Sequence, residues 1–210
     1  MPLSLKERPL DFLYLVYFAI HIPPTLLMDL QAILPQGSFP LALQRLPQFY
    51  LDMSGDPLIA GAMGLHGVHT QFTWFYTFLV IEEYVAVITH ILTRALIQQR
   101  LFQLPLFVLG IYMLKKNSAY TSILLTVYGS HVTTTMAPVL ATLLATPKTI
   151  TTVTEKVTDF SSLNSAQLSM LLSSYIPFLI IPLVMAIDGT KRLVQQVSQV
   201  QKFEKAGKQL

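Results

Sequence analysis

Four apolar stretches, Leu10–Leu34, Phe72–Leu114, Ala119–Leu144 and Leu168–Ile187, each reach the ~20 residues that a helix needs to cross a ~30 Å hydrocarbon core. Lipid offers the backbone no hydrogen-bond partner, so a spanning segment must satisfy its amides internally, and runs this long suit helices better than alternating barrel strands. The reading is an all-α integral membrane protein, a four-transmembrane-helix bundle with essentially no soluble domain. Composition agrees, because 52% of the residues are hydrophobic and only 12% charged, about half the ~25% charge of a soluble domain. The opening carries Lys6 and Arg8, but the apolar run behind it is too long and too aromatic for a signal-peptide core, so it reads as a retained first span.

With four spans the basic residues sort by side. Lys6, Arg8, Lys115, Lys116, Lys191, Arg192, Lys202, Lys205 and Lys208 share one, and Arg45, Lys148 and Lys156 the other. The positive-inside rule then puts both termini in the cytosol. Pro35–His69, which mixes apolar residues with Gln44, Arg45, Gln48, Asp52 and Asp56, reads as a short interfacial helix plus loop. Thr149–Ser165 reads as a polar connection, and the chain from Lys191 onward as an exposed helix or coil. Prolines inside spans require kinks supported by neighbours, and the Pro23–Pro24 pair ahead of Asp29 predicts a broken first helix.

Ionisable groups at membrane depth are costly and default to functional candidates. Asp29 lies in a run otherwise free of charge; its bland reading is a carboxylate solvated at the interface end of the first span. Asp56, followed by Pro57, has the form of a helix N-cap with proline in the first turn. Glu82 and Glu83 sit mid-span without a nearby cation on their N-terminal side, so one of them should face the bundle or hold a proton. Gln103 and His131 suit interhelical hydrogen bonds. Together these acids suggest an apolar cavity for a hydrophobic ligand carrying a cationic or hydroxyl group. The chain has no cysteine, which excludes disulfides and thiolate sites, and its net charge of +3 is scattered, which argues against nucleic acid. Metal-ligand spacings, phosphate loops and Ser-His-Asp patterns are absent from the sequence, and no cofactor is implied.

The segment RPLDFLYLVYFAIHIPPTLLMDLQAILP, Arg8–Pro35, closely resembles the first span of the sigma-2 receptor family, the transmembrane protein 97 group of EXPERA-domain proteins. Further blocks follow in order: DPL at Asp56–Leu58, WF at Trp74–Phe75, FQLP at Phe102–Pro105, YGSHVTTTMAP at Tyr128–Pro138 and SYIPFLIIP at Ser174–Pro182. The resemblance covers residues 8 to about 188. The group includes fungal efficient mitochondria-targeting-associated proteins; more distant members are sterol isomerases. The resemblance implies the four-helix EXPERA fold, an endoplasmic reticulum membrane location, a membrane-embedded cavity for a lipid or sterol, and homodimers. Carried over by motif, Asp29 and Asp56 are its acidic pair for a cationic amine, while Glu82, Gln103, Tyr128, Thr135 and Tyr175 line the same cavity. Phe178 and Ile59 stand where some members have Tyr and Met, which implies a shifted ligand preference.

One departure is large. Counted forward from Trp74 the family's cavity glutamate falls on Glu82, but counted back from Phe102 it falls on Gln99, which implies an insertion over 83–99. The division read from the sequence is therefore a membrane domain over 1–190 with that insertion, a protruding helix or a translated intron, and a cytosolic basic tail over 191–210. The functional expectation is a non-enzymatic endoplasmic reticulum protein serving lipid homeostasis or the quality control of mitochondrial precursor proteins. The competing expectation is a sterol isomerase-like enzyme, with Glu82 and His131 recruited for intramembrane proton transfer.

Overall fold

The computed structural model describes residues 5–29, 31, 37–64, 73–75, 77–78, 103–149 and 161–207. A 3-10 turn, Leu5–Glu7, leads into α1 (Pro9–Pro24) and a π-helical turn, Thr25–Asp29. Three short helices follow, α2 (Leu41–Gln44), α3 (Leu46–Ser54) and α4 (Pro57–Ala62), and then α5 (Gln103–Lys116), α6 (Thr121–Ala145) and α7 (Ser165–Gly207). No strand occurs among the described residues, apart from one isolated bridge between Lys148 and Leu163. Pro9–Met28, Thr121–Ala145 and Ser165–Gly207 are long and apolar enough to cross a membrane. The expected second span, Phe72–Leu114, is described at 73–75, at 77–78 and from Gln103 onward; Glu82, Glu83 and the insertion over 83–99 lie outside the described residues.

The break in the first helix has a direct chemical cause. Pro23 and Pro24 carry no N–H, so the regular ladder loses two donors. Thr25 then offers its N–H to both His21 O and Ile22 O, and the chain loosens into the π-helical turn. Gln31 helps to hold the loosened end, donating from Nε2 to Leu27 O at 2.6 Å and to Leu43 O at 2.9 Å. The region read as one interfacial helix plus loop is three short helices, because Arg45 and Gly55 interrupt it. Gly55 adopts a left-handed φ of 63° and closes α3 through its N–H to Leu51 O.

Among the described residues, helices α6 and α7 form the most extensive contact. A Cβ on Gly129 would collide with the Pro182 carbonyl oxygen and lie 2.6 Å from Ala186 N, and one on Gly189 would lie 2.7 Å from Thr126 N. Small residues let membrane helices approach to backbone contact, where dispersion forces replace the missing hydrophobic drive. Helix α1 packs on this pair through a buried aromatic cluster of Tyr14, Tyr17, Phe18, Phe107 and Tyr128, in which the Phe18 and Tyr128 rings meet at 5.1 Å. Gly110 on α5 admits Phe18, since a Cβ there would stand 2.8 Å from its ring.

An ionic cluster closes the same end. Asp11, 1% exposed, accepts from Arg8 Nη1 at 2.6 Å, and Arg192 lies 2.7 Å from Asp11 and 2.6 Å from Asp188. Tyr14 donates to Asp188 at 3.2 Å, and Arg8 also reaches Asn117 and Leu114 O. At its other end α7 begins with a capping box: Gln167 N donates to Asn164 Oδ1 at 2.8 Å, and Asn164 N to Gln167 Oε1 at 3.0 Å. Helix α7 then runs unbroken through the ionic cluster to Gly207.

Because backbone rather than a yielding side chain faces Gly129, Gly129→Ala should lower stability by about 1–3 kcal/mol. Gly207→Ala, with nothing within 4 Å, should leave the melting temperature in detergent unchanged. Equal melting of the two variants would disprove backbone contact at Gly129.

Candidate functional site: an aromatic cavity backed by a buried carboxylate

A cavity of about 570 Å³ opens between α1, α3, α6 and α7, within the roughly 300–1,000 Å³ range of small-molecule sites. Helix α6 contributes Tyr128, Val132, Thr135, Met136 and Val139, a spacing that keeps one helical face toward the cavity. Helix α7 adds Ser174, Tyr175 and Phe178. The broken part of α1 supplies His21, Pro23, Pro24, Leu27 and Met28, so the proline break shapes one wall. Leu46, Phe49, Tyr50 and Met53 of α3, Ile59 of α4, and Phe75 and Phe78 complete it. Pro23, Pro24, Phe49, Met53 and Ser174 are also surface residues, so the cavity has a mouth.

Asp56 stands behind the wall rather than on it. Fully buried, it N-caps α4 by accepting on Oδ1 from Leu58 N at 2.9 Å and Ile59 N at 3.3 Å. On Oδ2 it accepts from Tyr50 at 2.9 Å and from Tyr175, 119 residues on, at 2.6 Å. One carboxylate thus ties α3, α4 and α7 together, and both tyrosines that donate to it line the cavity. Burial pushes the Asp56 carboxyl above the ordinary aspartate range, while the two phenols and the two amides pull the other way without reversing it. Burial and the neighbouring Asp56 charge push the Tyr50 phenol up as well.

The residues expected from the sequence divide into groups. Tyr128, Thr135 and Tyr175 line the cavity, and so do Ile59 and Phe178. Asp56 is joined to it through Tyr50 and Tyr175. The Asp29 backbone belongs to the π-helical turn, and Gln103 opens α5; the side chains of both, and all of Glu82, lie outside the described residues. His131 is not on the wall, and its Nε2 is buried without a described partner. Sequence reasoning missed His21 and Tyr50. His21 follows Tyr17 by one turn and precedes the proline pair, a placement that could have marked it.

Asp56→Ala should remove an N-cap and orphan two phenols, a loss of about 2–4 kcal/mol. Asp56→Asn keeps an acceptor for the cap and should lose about 1 kcal/mol. Since folding raises this carboxyl above its unfolded value of about 3.9, its contribution is complete below that value and falls as pH rises through the folded one. Melting temperatures across pH should show that decline in the wild type and not in Asp56→Asn; parallel profiles would refute it.

The chain is 29% identical over 191 residues to Sigma intracellular receptor 2 of Macaca fascicularis, covering 89% of this chain and 90% of that protein. It is 29% identical over 185 residues to Sigma intracellular receptor 2 of Homo sapiens, covering 86% and 87%, and 28% identical over 186 residues to that of Xenopus tropicalis, covering 88% and 90%. The EXPERA family pattern, the EXPanded EBP superfamily, matches residues 42–189, which include α3, α4, α6 and the cavity-lining part of α7. An integral membrane protein by its helices, the chain belongs to the EXPERA family.

Proposed function

We propose that this chain is a non-enzymatic membrane protein that binds a sterol or another lipophilic, amine-bearing molecule in the cavity between α1, α6 and α7. The observation that carries this reading is a largely apolar, aromatic-walled space of about 570 Å³ with a buried carboxylate one phenol behind its surface. The reading includes a fourth span ending in α5, both termini in the cytosol, endoplasmic reticulum residence and a homodimer. The similarity to Sigma intracellular receptor 2 supports a receptor-like site. The role served is lipid homeostasis or quality control of mitochondrial precursor proteins, and deleting the gene while following sterol levels and precursor import separates the two.

In this reading Asp29 is the counter-ion of the ligand amine and Asp56 its support through Tyr175. Asp29→Asn should weaken binding of a lipophilic amine at least about a hundredfold, ~2.7 kcal/mol, with little change in melting temperature. Unchanged binding with a collapsed melting temperature would make Asp29 structural. Lipid mass spectrometry of the purified protein should find a co-purifying sterol, whereas turnover of a Δ8-sterol would replace this reading with isomerase chemistry.

A further inference from the structure

Each hydrogen bond has a direction, and four of the cavity's hydroxyl groups donate inward, while Tyr128, also on the wall, is likewise not without a partner. Tyr50 and Tyr175 donate their phenol protons to Asp56 Oδ2. Thr135 donates to Val132 O at 3.1 Å and Ser174 to Met170 O at 3.0 Å, each on its own helix. His21 Nδ1 lies 3.2 Å from Tyr17 O, and a carbonyl can only accept, so the proton of a neutral ring sits on Nδ1. That leaves a lone pair on Nε2, the other polar atom of a ring that lines the cavity. The ring is held in place by Tyr17 at 4.2 Å, Phe178 at 4.3 Å and Phe107 at 5.4 Å between centroids.

These five described groups therefore offer a ligand acceptors, with the donors of all five already engaged. We infer that it selects ligands by their hydrogen-bond donors, taking a lipophilic alcohol or amine in preference to the matching ketone or ether, and that His21 Nε2 is an acceptor for the donor hydroxyl. This rests on the cavity being the ligand site. A ketone placed there would lose its water and meet lone pairs, leaving a buried acceptor unpaired, and sites built for one hydrogen-bonding sense reject the opposite sense strongly. His21 packs on Phe178, about one helical turn along α7 from Tyr175, so the imidazole meets the same helix that carries one of the two phenols.

The test uses the full chain in detergent micelles with three probes: cholesterol, its 3-ketone and its 3-methyl ether. Displacement of radiolabelled cholesterol should show the alcohol binding at least tenfold more tightly than either analogue. His21→Phe should weaken the alcohol fivefold or more and leave the ketone unchanged. His21→Gln, which brings an amide donor to the wall, should strengthen the ketone, a gain that misfolding cannot mimic. Equal affinities for alcohol and ketone in the wild type, or an unchanged ratio in both variants, would overturn donor selection while leaving the cavity as the ligand site. No saturable binding of any of the three would overturn both.

Discussion

Backbone contact between α6 and α7 is the constraint on which the rest of the molecule depends. Lipid cannot push two apolar helices together as water would, so the pair must gain its stability from close approach. Gly129 and Gly189 make that approach possible by leaving room for Pro182, Ala186 and Thr126. Both the cavity and the ionic cluster are built on this pair. Val132, Thr135 and Val139 continue along α6 from Gly129, and Tyr175 and Phe178 precede Pro182 on α7, so one crossing sets the distance across the cavity. Asp188 and Arg192 flank Gly189, so the same crossing delivers them to Asp11.

Asp56 shows how one residue can meet a structural need and still influence a site. A short helix starting inside the protein has orphan N–H groups, and Asp56 satisfies two of them. Its second oxygen could have been left for a ligand, but a tyrosine from the preceding helix and another from the distant α7 claim it. The carboxylate therefore acts on the cavity by orienting phenols.

Much of the architecture was legible because its causes are local. Apolar run length announced the helix at Thr121–Ala145 and the 168–187 part of Ser165–Gly207, whose continuation to Gly207 was open between helix and coil, and paired prolines announced the break after Pro24. Asp-Pro at 56–57 signalled an N-cap, which is how Asp56 binds Leu58 N and Ile59 N. What could not be read depends on long-range placement. Nothing adjacent to Asp11 says that its partner is Arg192, and nothing near Tyr50 says that it shares a carboxylate with Tyr175. Tyr128, Thr135 and Tyr175 were reached through family motifs, whereas His21 was not singled out within its apolar helix. Its role depends on which way its proton faces, and a carbonyl one turn earlier decides that.

The 43-residue α7 has an experimental consequence. Past Arg192 it continues for another fifteen residues to Gly207, or about 22 Å at 1.5 Å per residue, with Val197, Val200 and Phe203 exposed. A fluorophore or affinity handle on Gly207 would stand well clear of the Asp11–Arg192 cluster. The same handle on Glu7 would sit next to Arg8, within the electrostatic reach of that cluster. Spectroscopic labels for following the cavity are thus better carried on the distal end of α7, where they report on the protein without perturbing the charges that close it.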